Sequence, residues 1–412
     1  MVMRAFKKIA MIYREIGTCG GIQRGASFQV DQFRGWGYEP VVLTEQDLGR
    51  DADRKEKLAA ILRERQADLV IEHDAYSEEK LSADIAAARA VGVPIVVFWH
   101  SVFSWMIAQA NPRVRAIFSL LCQADAIIAL SRTDETFFRL MGCRSLAIPY
   151  CDADLMEGFR RNGHPHRVLW MGRFVGLKRP LDAIRVVERL RRDVPEAELV
   201  MLGDADKAKL SDIERYLRAR PELRTAVRFE GFQKDVRPFL ASAGVGLVTS
   251  KFEGFSHSVV EMKMASLPVV SYAMPYLETM EEGTGAFQVP QGDVDAAAAR
   301  IAELFADADE CRRQGELARR SYEAIRAFDQ HGAYERLFAD LSMPMSGSRL
   351  TTPDPRRTKS VIDTLLDHGA MGTDVSVRRH SEKLFGRPGA AGLRGTVGRF
   401  LIGVGKVLCR QK

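Results

Sequence analysis

Long apolar runs are missing from this sequence. No stretch approaches the ~20 apolar residues that span a bilayer. The five-residue run Ile9–Tyr13 near the N-terminus is too short for the core of a signal peptide. The six cysteines, at positions 19, 122, 143, 151, 311 and 409, include no CxxC pair and no zinc-finger spacing with histidine. They are expected to be reduced thiols, mostly buried. A GxGxxG dinucleotide fingerprint is also lacking, because the stretch after the first strand candidate reads GTCGGIQRG. No DxD triplet is expected at a strand end suited to a metal. These absences leave an expectation of a soluble, cytoplasmic globular protein with neither a nicotinamide nor a flavin cofactor.

Net charge is close to zero in the body and concentrated in the tail. Residues 349–412 hold 13 Lys/Arg against 5 Asp/Glu, whereas the rest of the chain holds 47 against 49. A polyanionic partner is therefore expected to meet the tail. The tail carries no aromatic interleaving, its only phenylalanines being Phe385 and Phe400, so no nucleic-acid partner is expected.

What is present is an alternation of short apolar runs with longer amphipathic ones, over a length that suits two α/β domains. Strands are expected at Lys8–Tyr13, Pro40–Thr44, Asp68–Glu72, Pro94–Trp99, Ala126–Leu130 and Ser145–Ile148, with helices such as Arg54–Arg65 and Glu78–Val91 between them. Runs such as IVVF show no period-2 alternation, as befits parallel strands buried on both faces. After the polar stretch RNGHPH (Arg161–His166) the pattern restarts. Strands are expected at Arg167–Met171, Glu198–Leu202, Val227–Glu230, Val245–Thr249 and Val269–Tyr272. Helical patterns at Leu181–Arg192, Lys207–Arg220 and Ser258–Ala265 separate them, and Val294–Ala306 and Glu310–Ala327 follow. The expected divisions are residues 1–160 and 161–328 as two Rossmann-like domains, 329–345 as a helix returning toward the first domain, and 346–412 as a basic, partly disordered tail. From Met343 the composition reads as a disorder-prone linker, with one short helix expected at Ser360–Leu366.

Four features carry chemistry. Glu253-Gly-Phe255-Ser256-His257-Ser-Val-Val-Glu261 follows a strand and opens a helix, so its amides favour an anion and its carboxylates can accept hydrogen bonds from hydroxyls. Gly172-Arg173-Phe-Val-Gly-Leu-Lys178-Arg-Pro180 follows the first strand of the second domain. There Arg173 and Lys178 can converge on a diphosphate and the proline can open the next helix. Gly20-Gly21 can bring backbone close to a phosphate or an acceptor. His100 stands at a strand's carboxyl end, where open α/β sheets bind ligands.

Together these features resemble family 4 glycosyltransferases of the GT-B fold, in which two Rossmann-like domains face a central cleft. The resemblance covers roughly residues 5–341 and is densest over Val168–Pro180 and Val227–Tyr272. It implies that Arg173 and Lys178 hold the donor diphosphate, that Glu253 faces the transferred sugar and that Glu261 contacts the ribose. It also implies that amides of Phe255, Ser256 and His257 support sugar and phosphate, that Phe232 packs near the base, that Gly21 lies near the phosphates and that His100 approaches the donor sugar. Two departures stand out: Ser256 replaces the usual glycine, and His257 adds bulk beside it.

The resemblance implies a retaining, metal-independent transferase that moves a sugar from a nucleotide-diphosphate sugar to a hydroxyl acceptor. The leaving diphosphate would be stabilised by cationic side chains and a helix N-terminus. The acceptor is expected to be a glycan, a lipid-linked sugar or a wall polymer, as in bacterial surface-polysaccharide or teichoic-acid synthesis. A GT-B sugar-nucleotide epimerase and a non-catalytic nucleotide-sugar binder are the alternatives. At 100° per residue, Leu393, Val397, Phe400, Leu401, Val404, Val407 and Leu408 share one face of Gly392–Arg410. Arg399, Lys406 and Arg410 cluster on the other side, the pattern of a helix lying on an anionic membrane surface. Peripheral attachment to the inner face of the cell membrane is the corresponding expectation.

Overall fold

Apolar runs without alternation become strands buried on both faces because a parallel sheet covered by helices leaves neither face to water. The computed structural model of the chain describes residues 6–16, 21–49, 53–102, 112–150, 154–159, 161–162, 165–204, 207–358, 361 and 364. It forms two compact units. One contains the described residues of 1–152 and of 329–412, and the other contains those of 153–328.

In the first unit the chain runs β1 (Lys8–Ile12), α1 (Gly21–Gly35), β2 (Glu39–Leu43), α2 (Glu45–Leu48), α3 (Arg54–Arg65), β3 (Leu69–Glu72) and α4 (Glu78–Val91). It continues through β4 (Ile95–Phe98), α5 (Pro112–Leu121), β5 (Ala126–Ala129), α6 (Arg132–Leu140) and β6 (Ser145–Ala147). The sheet order is β2-β1-β3-β4-β5-β6, and every described ladder is parallel. Helix ends follow local chemistry. Ser77 caps α4 by accepting from the Lys80 amide, and Gly92 ends that helix in the left-handed region at φ 74°. Ser131 caps α6 in the same way through the Asp134 amide. Between α3 and α4, Arg54 donates to both carboxylate oxygens of Asp84 at 2.8 and 2.7 Å in a pair almost fully shielded from water.

In the second unit the elements are β7 (Arg167–Met171), α7 (Pro180–Leu190), β8 (Glu198–Leu202), α8 (Lys207–Arg218), β9 (Val227–Gly231), α9 (Arg237–Ser242) and β10 (Val245–Val248). They are followed by α10 (His257–Met264), β11 (Val269–Tyr272), β12 (Ala286–Val289), α11 (Val294–Ala306) and α12 (Ala308–Arg326). The order is β12-β11-β10-β7-β8-β9, again parallel in every described ladder. Its core joins Val168, Trp170, Leu199, Leu247 and Val270 from the strands to Ile184 and Val187 of α7 and Ile301 of α11. Each such aliphatic side chain contributes about 1.5–3 kcal/mol by leaving water. Asp293 and Asp307 cap α11 and α12 through the amides of Ala296 and Glu310.

Several expectations need correction. The second unit begins before the polar stretch at 161, because residues 154–159 and 161–162 are tied into it. Arg161 donates to the carbonyls of Ser266 and Ala243, the Asn162 amide bonds Ala241, and Asp154 pairs with Arg319. The stretch from Met343 is not a loose linker as far as residue 358. Asp340 accepts from the Ser348 hydroxyl and the Arg349 amide, and the Leu350 carbonyl accepts from the amide of Ser145 in β6. Strand β12 was not anticipated. It is four residues long and lies at the sheet edge, and its Gln288 is polar because it bonds Met274 N and Met280 O. Helix α13 (Gln330–Leu341) belongs to the first unit, where its Tyr334 meets Phe33 edge-on. The helix expected at Ser360–Leu366 falls mostly outside the described residues, and the amphipathic pattern over Gly392–Arg410 lies wholly outside them. Among the described residues no helix is long and apolar enough to cross a membrane.

Candidate active site

In each sheet the chain leaves β1 or β7 toward one side and later returns to its other side. That reversal opens a crevice at the strands' carboxyl ends. In the second unit the reversal lies between β7 and β10, and the two loops singled out by sequence follow those two strands.

The loop after β7 is held by its neighbours. The Gly172 amide bonds the Leu202 carbonyl, and the Phe174 amide bonds that of Asp204. Gly203, at φ +134°, passes so close that a Cβ would sit 2.0 Å from the Gly172 carbonyl oxygen, so only glycine fits there. Trp170 donates from Nε1 to the Thr249 hydroxyl at 2.9 Å. That hydroxyl faces the Lys178 carbonyl at 2.8 Å and the Arg179 carbonyl at 3.0 Å. The Lys251 amide adds a bond to the Leu177 carbonyl. The two loops are thus stitched together by the protein's own hydrogen bonds.

The stitching brings Lys178 to Glu253. Lys178 Nζ donates to Glu253 Oε1 at 2.5 Å, and the Ser250 hydroxyl donates to the same oxygen at 2.6 Å. The backbone of Glu253 is clamped by Tyr276, whose hydroxyl accepts from the Glu253 amide and donates to its carbonyl, both at 2.9 Å. Gln291 supports the floor by donating to the carbonyls of Ser250, Lys251 and Ala273. Ser256 adopts φ +65°, the left-handed conformation that explains why glycine would suit this position. His257 opens α10, and its ring meets that of the buried Phe255 edge-on. Glu261 is buried on the same helix. Arg173 is exposed beside the loop, and Phe232, after the left-handed Gly231, is 44% exposed.

One expectation about metals is wrong as stated. Asp204-Ala205-Asp206 is a DxD triplet one residue after β8, although Ala205 and Asp206 lie outside the described residues. Among the described residues no group of three or more His, Cys, Asp or Glu is arranged to hold a metal.

In the first unit the reversal lies between β1 and β3. Gly21 is the first residue of α1, while residues 17–20, including Gly20, lie outside the described residues. His100 follows β4 with both ring nitrogens engaged. Its Nε2 is 2.9 Å from His73 Nδ1, and its Nδ1 is 2.6 Å from the Tyr150 hydroxyl. The rings form a continuous stack. Tyr13 lies on His73 with centroids 4.3 Å apart, Phe98 lies 4.5 Å from His100, and His100 and Tyr150 are within 11° of parallel. Gly25 of α1 backs onto Tyr150, where a Cβ would come within 2.8 Å of the ring. Burial first, and the neighbouring His100 second, hold the pKa of His73 well below the usual imidazole value.

The sequence reading missed Ser250, Tyr276, His73 and Tyr150. His73 was within reach of the strand-end rule applied to His100, since it directly follows β3. Tyr276 and Ser250 carried no spacing signal.

Two family signatures match the chain, Glycosyltransferase Family 4 over residues 21–147 and Glycosyl transferases group 1 over residues 165–307. The chain belongs to glycosyltransferase family 4. The second signature spans the loop of Arg173 and Lys178 and the segment from Glu253 to Glu261. Among curated relatives, this family 4 chain is 32% identical over 159 residues to the lipopolysaccharide core biosynthesis glycosyltransferase LpsE of Rhizobium meliloti, which is 38% of this chain and 44% of that protein. It is 25% identical over 145 residues to the putative glycosyltransferase EpsD of Bacillus subtilis, 35% of this chain and 37% of that protein. The matched stretch thus spans less than half the length of either relative. Among solved structures, sucrose-phosphate synthase from Thermosynechococcus elongatus aligns with a TM-score of 0.67 at 19% identity, over 81% of this chain and 99% of that one. Anabaena HepE, in complex with UDP and glucose, aligns at 0.63 and 18% identity, over 82% and 100%. These likenesses show the GT-B fold for the family 4 chain.

Proposed function

We propose that this chain is a retaining glycosyltransferase that moves a sugar from a nucleoside-diphosphate sugar to a hydroxyl acceptor in glycan synthesis, without a metal. The observation that carries this reading is the Lys178–Glu253 pair at the β7/β10 reversal, beside the N-terminus of α10. A cation, a carboxylate and a helix N-terminus at one crevice suit a sugar diphosphate. The ammonium and amides answer the phosphates, and the carboxylate answers sugar hydroxyls. Family membership and the UDP and glucose bound by HepE support the donor class.

In this reading the bond between the anomeric carbon and the phosphate oxygen breaks while the acceptor hydroxyl attacks from the face the diphosphate leaves. The acceptor proton passes to the departing phosphate oxygen, so configuration is retained and no protein nucleophile is used. Lys178, Arg173 and the amides at the start of α10 stabilise the negative charge that develops on the diphosphate. Glu253 orients the sugar, Glu261 binds the ribose, Phe232 packs by the base, and Gly21 and His100 line the donor side of the first unit. The acceptor would be a glycan, a lipid-linked sugar or a wall polymer, reached by an enzyme held on the cytoplasmic face through its basic tail.

The test is release of nucleoside diphosphate from a panel of ADP-, GDP-, UDP- and dTDP-sugars, with and without excess EDTA, followed by NMR assignment of the anomeric product. Turnover that survives EDTA is expected. Arg173→Ala or Lys178→Ala should lower kcat/KM by about 2–4 kcal/mol of transition-state stabilisation. Complete, magnesium-reversible loss in EDTA would assign a role to a metal, with the Asp204 triplet the first place to look. Wild-type turnover in both variants would remove the donor-site assignment. For the tail, co-sedimentation with anionic vesicles should fall when the chain is ended at Thr364.

A further inference from the structure

His73 is 4% exposed and neutral, so it carries one ring proton. Its Nδ1 faces His100 Nε2 at 2.9 Å, and its Nε2 is buried with no hydrogen-bond partner among the described residues. Two arrangements satisfy the 2.9 Å contact. With the proton on Nε2, a buried N–H donor is left without an acceptor while Nδ1 accepts from His100. With the proton on Nδ1, His73 donates to His100 Nε2 and only a lone pair is left unmatched. Orphaned buried N–H groups are the rarer of the two defects. The second arrangement therefore holds, and it dictates the rest of the chain of contacts. His100 Nε2 is an acceptor, so the proton of neutral His100 sits on Nδ1 and points at the Tyr150 oxygen 2.6 Å away.

The geometry points to His73 as a positioning residue that fixes both the tautomer and the ring orientation of His100, leaving its Nδ1–H edge as the one offered to a ligand oxygen. The Tyr150 hydroxyl lies 2.6 Å from that edge. The stack of Tyr13, His73 and Phe98 keeps the His73 ring from turning, and the absence of a Cβ at Gly25 leaves room for Tyr150. The use of that edge rests on the reading of His100 as a donor-site residue, whereas the tautomer itself does not.

The experiment measures the tautomer directly in the full-length chain with 15N-labelled histidine, using long-range proton–nitrogen correlation at neutral pH. In wild type, His100 should show a protonated Nδ1 and a bare Nε2. His73→Gln keeps a donor facing Nε2 and should preserve that pattern. His73→Phe keeps the stack but removes the donor, and should move the proton of His100 wholly or partly to Nε2. Groups that fix a functional imidazole, as outer-shell partners of metal-bound histidines do, cost on the order of 10–100-fold when lost. Donor turnover should accordingly show kcat lowered about tenfold in the Phe variant, recovered in the Gln variant, with KM little changed. A wild-type His100 protonated on Nε2, or an unchanged tautomer in a folded His73→Phe chain, overturns the proposal. Should the Phe variant not fold, the wild-type and Gln spectra still decide it. If no donor turns over in wild type, the function fails while the spectra continue to test the tautomer.

Discussion

Lys178 is paired with Glu253, and this makes an unusual prediction for Glu253→Gln. The substitution keeps an acceptor oxygen for Ser250 and Lys178 but removes the charge that competes with a phosphate for the ammonium. The two side chains are 20% and 9% exposed. That places the pair between surface ion pairs, worth about 0.2–1 kcal/mol, and buried ones, where loss of one partner costs about 3–5 kcal/mol. About 1–2 kcal/mol of the attraction should become available to an incoming diphosphate. Free nucleoside diphosphate, which lacks the transferred sugar and so has no such contact with Glu253 to lose, should therefore bind about 5- to 30-fold more tightly to the variant. Transfer should nevertheless slow, because the contact to the reacting sugar is gone. Isothermal titration with ADP, GDP and UDP measures the first effect and donor turnover the second. A double-mutant cycle separates competition for Lys178 from simple relief of repulsion by Glu253. Lys178→Met should weaken binding, and adding Glu253→Gln to it should restore almost nothing. Unchanged or weaker binding in Glu253→Gln alone refutes the reasoning. So does an equal gain with Lys178 absent, since it would mean the ammonium is not what the two anions share.

Three further outcomes are expected. Tyr276→Phe leaves the Glu253 amide without its acceptor, which should cost about 1–3 kcal/mol; a few degrees lost in Tm and weaker nucleotide binding are expected, and no change in either would show that the clamp is idle. Ser256→Gly relieves a left-handed residue at the cost of a more flexible unfolded chain and should stabilise by about 0.5–1 kcal/mol; a lower Tm argues against strain at that turn. Lys263 is buried on α10 and donates to the Thr284 and Ser321 hydroxyls, and burial pulls its pKa down to about 7 against the opposing pull of Glu281. Between pH 7 and the ordinary lysine range the unfolded chain binds the extra proton, so wild-type stability rises with pH there by at most about 1.4 kcal/mol per unit. Lys263→Met lacks that slope, and its stability relative to wild type, followed by urea denaturation from pH 7 to 9, should decline; parallel curves contradict the assignment.

The local pattern alone settled most of the interior strands and several of the helices. Val168, Leu169 and Trp170, or Ile95 to Phe98, are apolar on both faces and can only be buried ones, and Arg54–Arg65, Glu78–Val91 and Val294–Ala306 carry their helices to the same ends in sequence and structure. The motif loops were legible too, because strand ends, glycines and charges within ten residues of one another state their own geometry. What the sequence could not state is which loops meet. Lys178 and Glu253 lie 75 residues apart, and they touch because β10 returns to pair with β7 on the side opposite β8, an order that no stretch of either loop encodes. His73, His100 and Tyr150 follow three different strands and form one stack for the same reason. Edge elements depended most on their neighbours. Strand β12 is only four residues long and sits between Gly285 and Pro290, so it reads as part of a turn-rich stretch, and residues 343–358 read as a linker until Asp340 and the edge of β6 supply partners for their backbone. Burial of a segment's own side chains is written in its composition, whereas the partners of its hydrogen bonds and charges are chosen by the packing of distant parts of the chain.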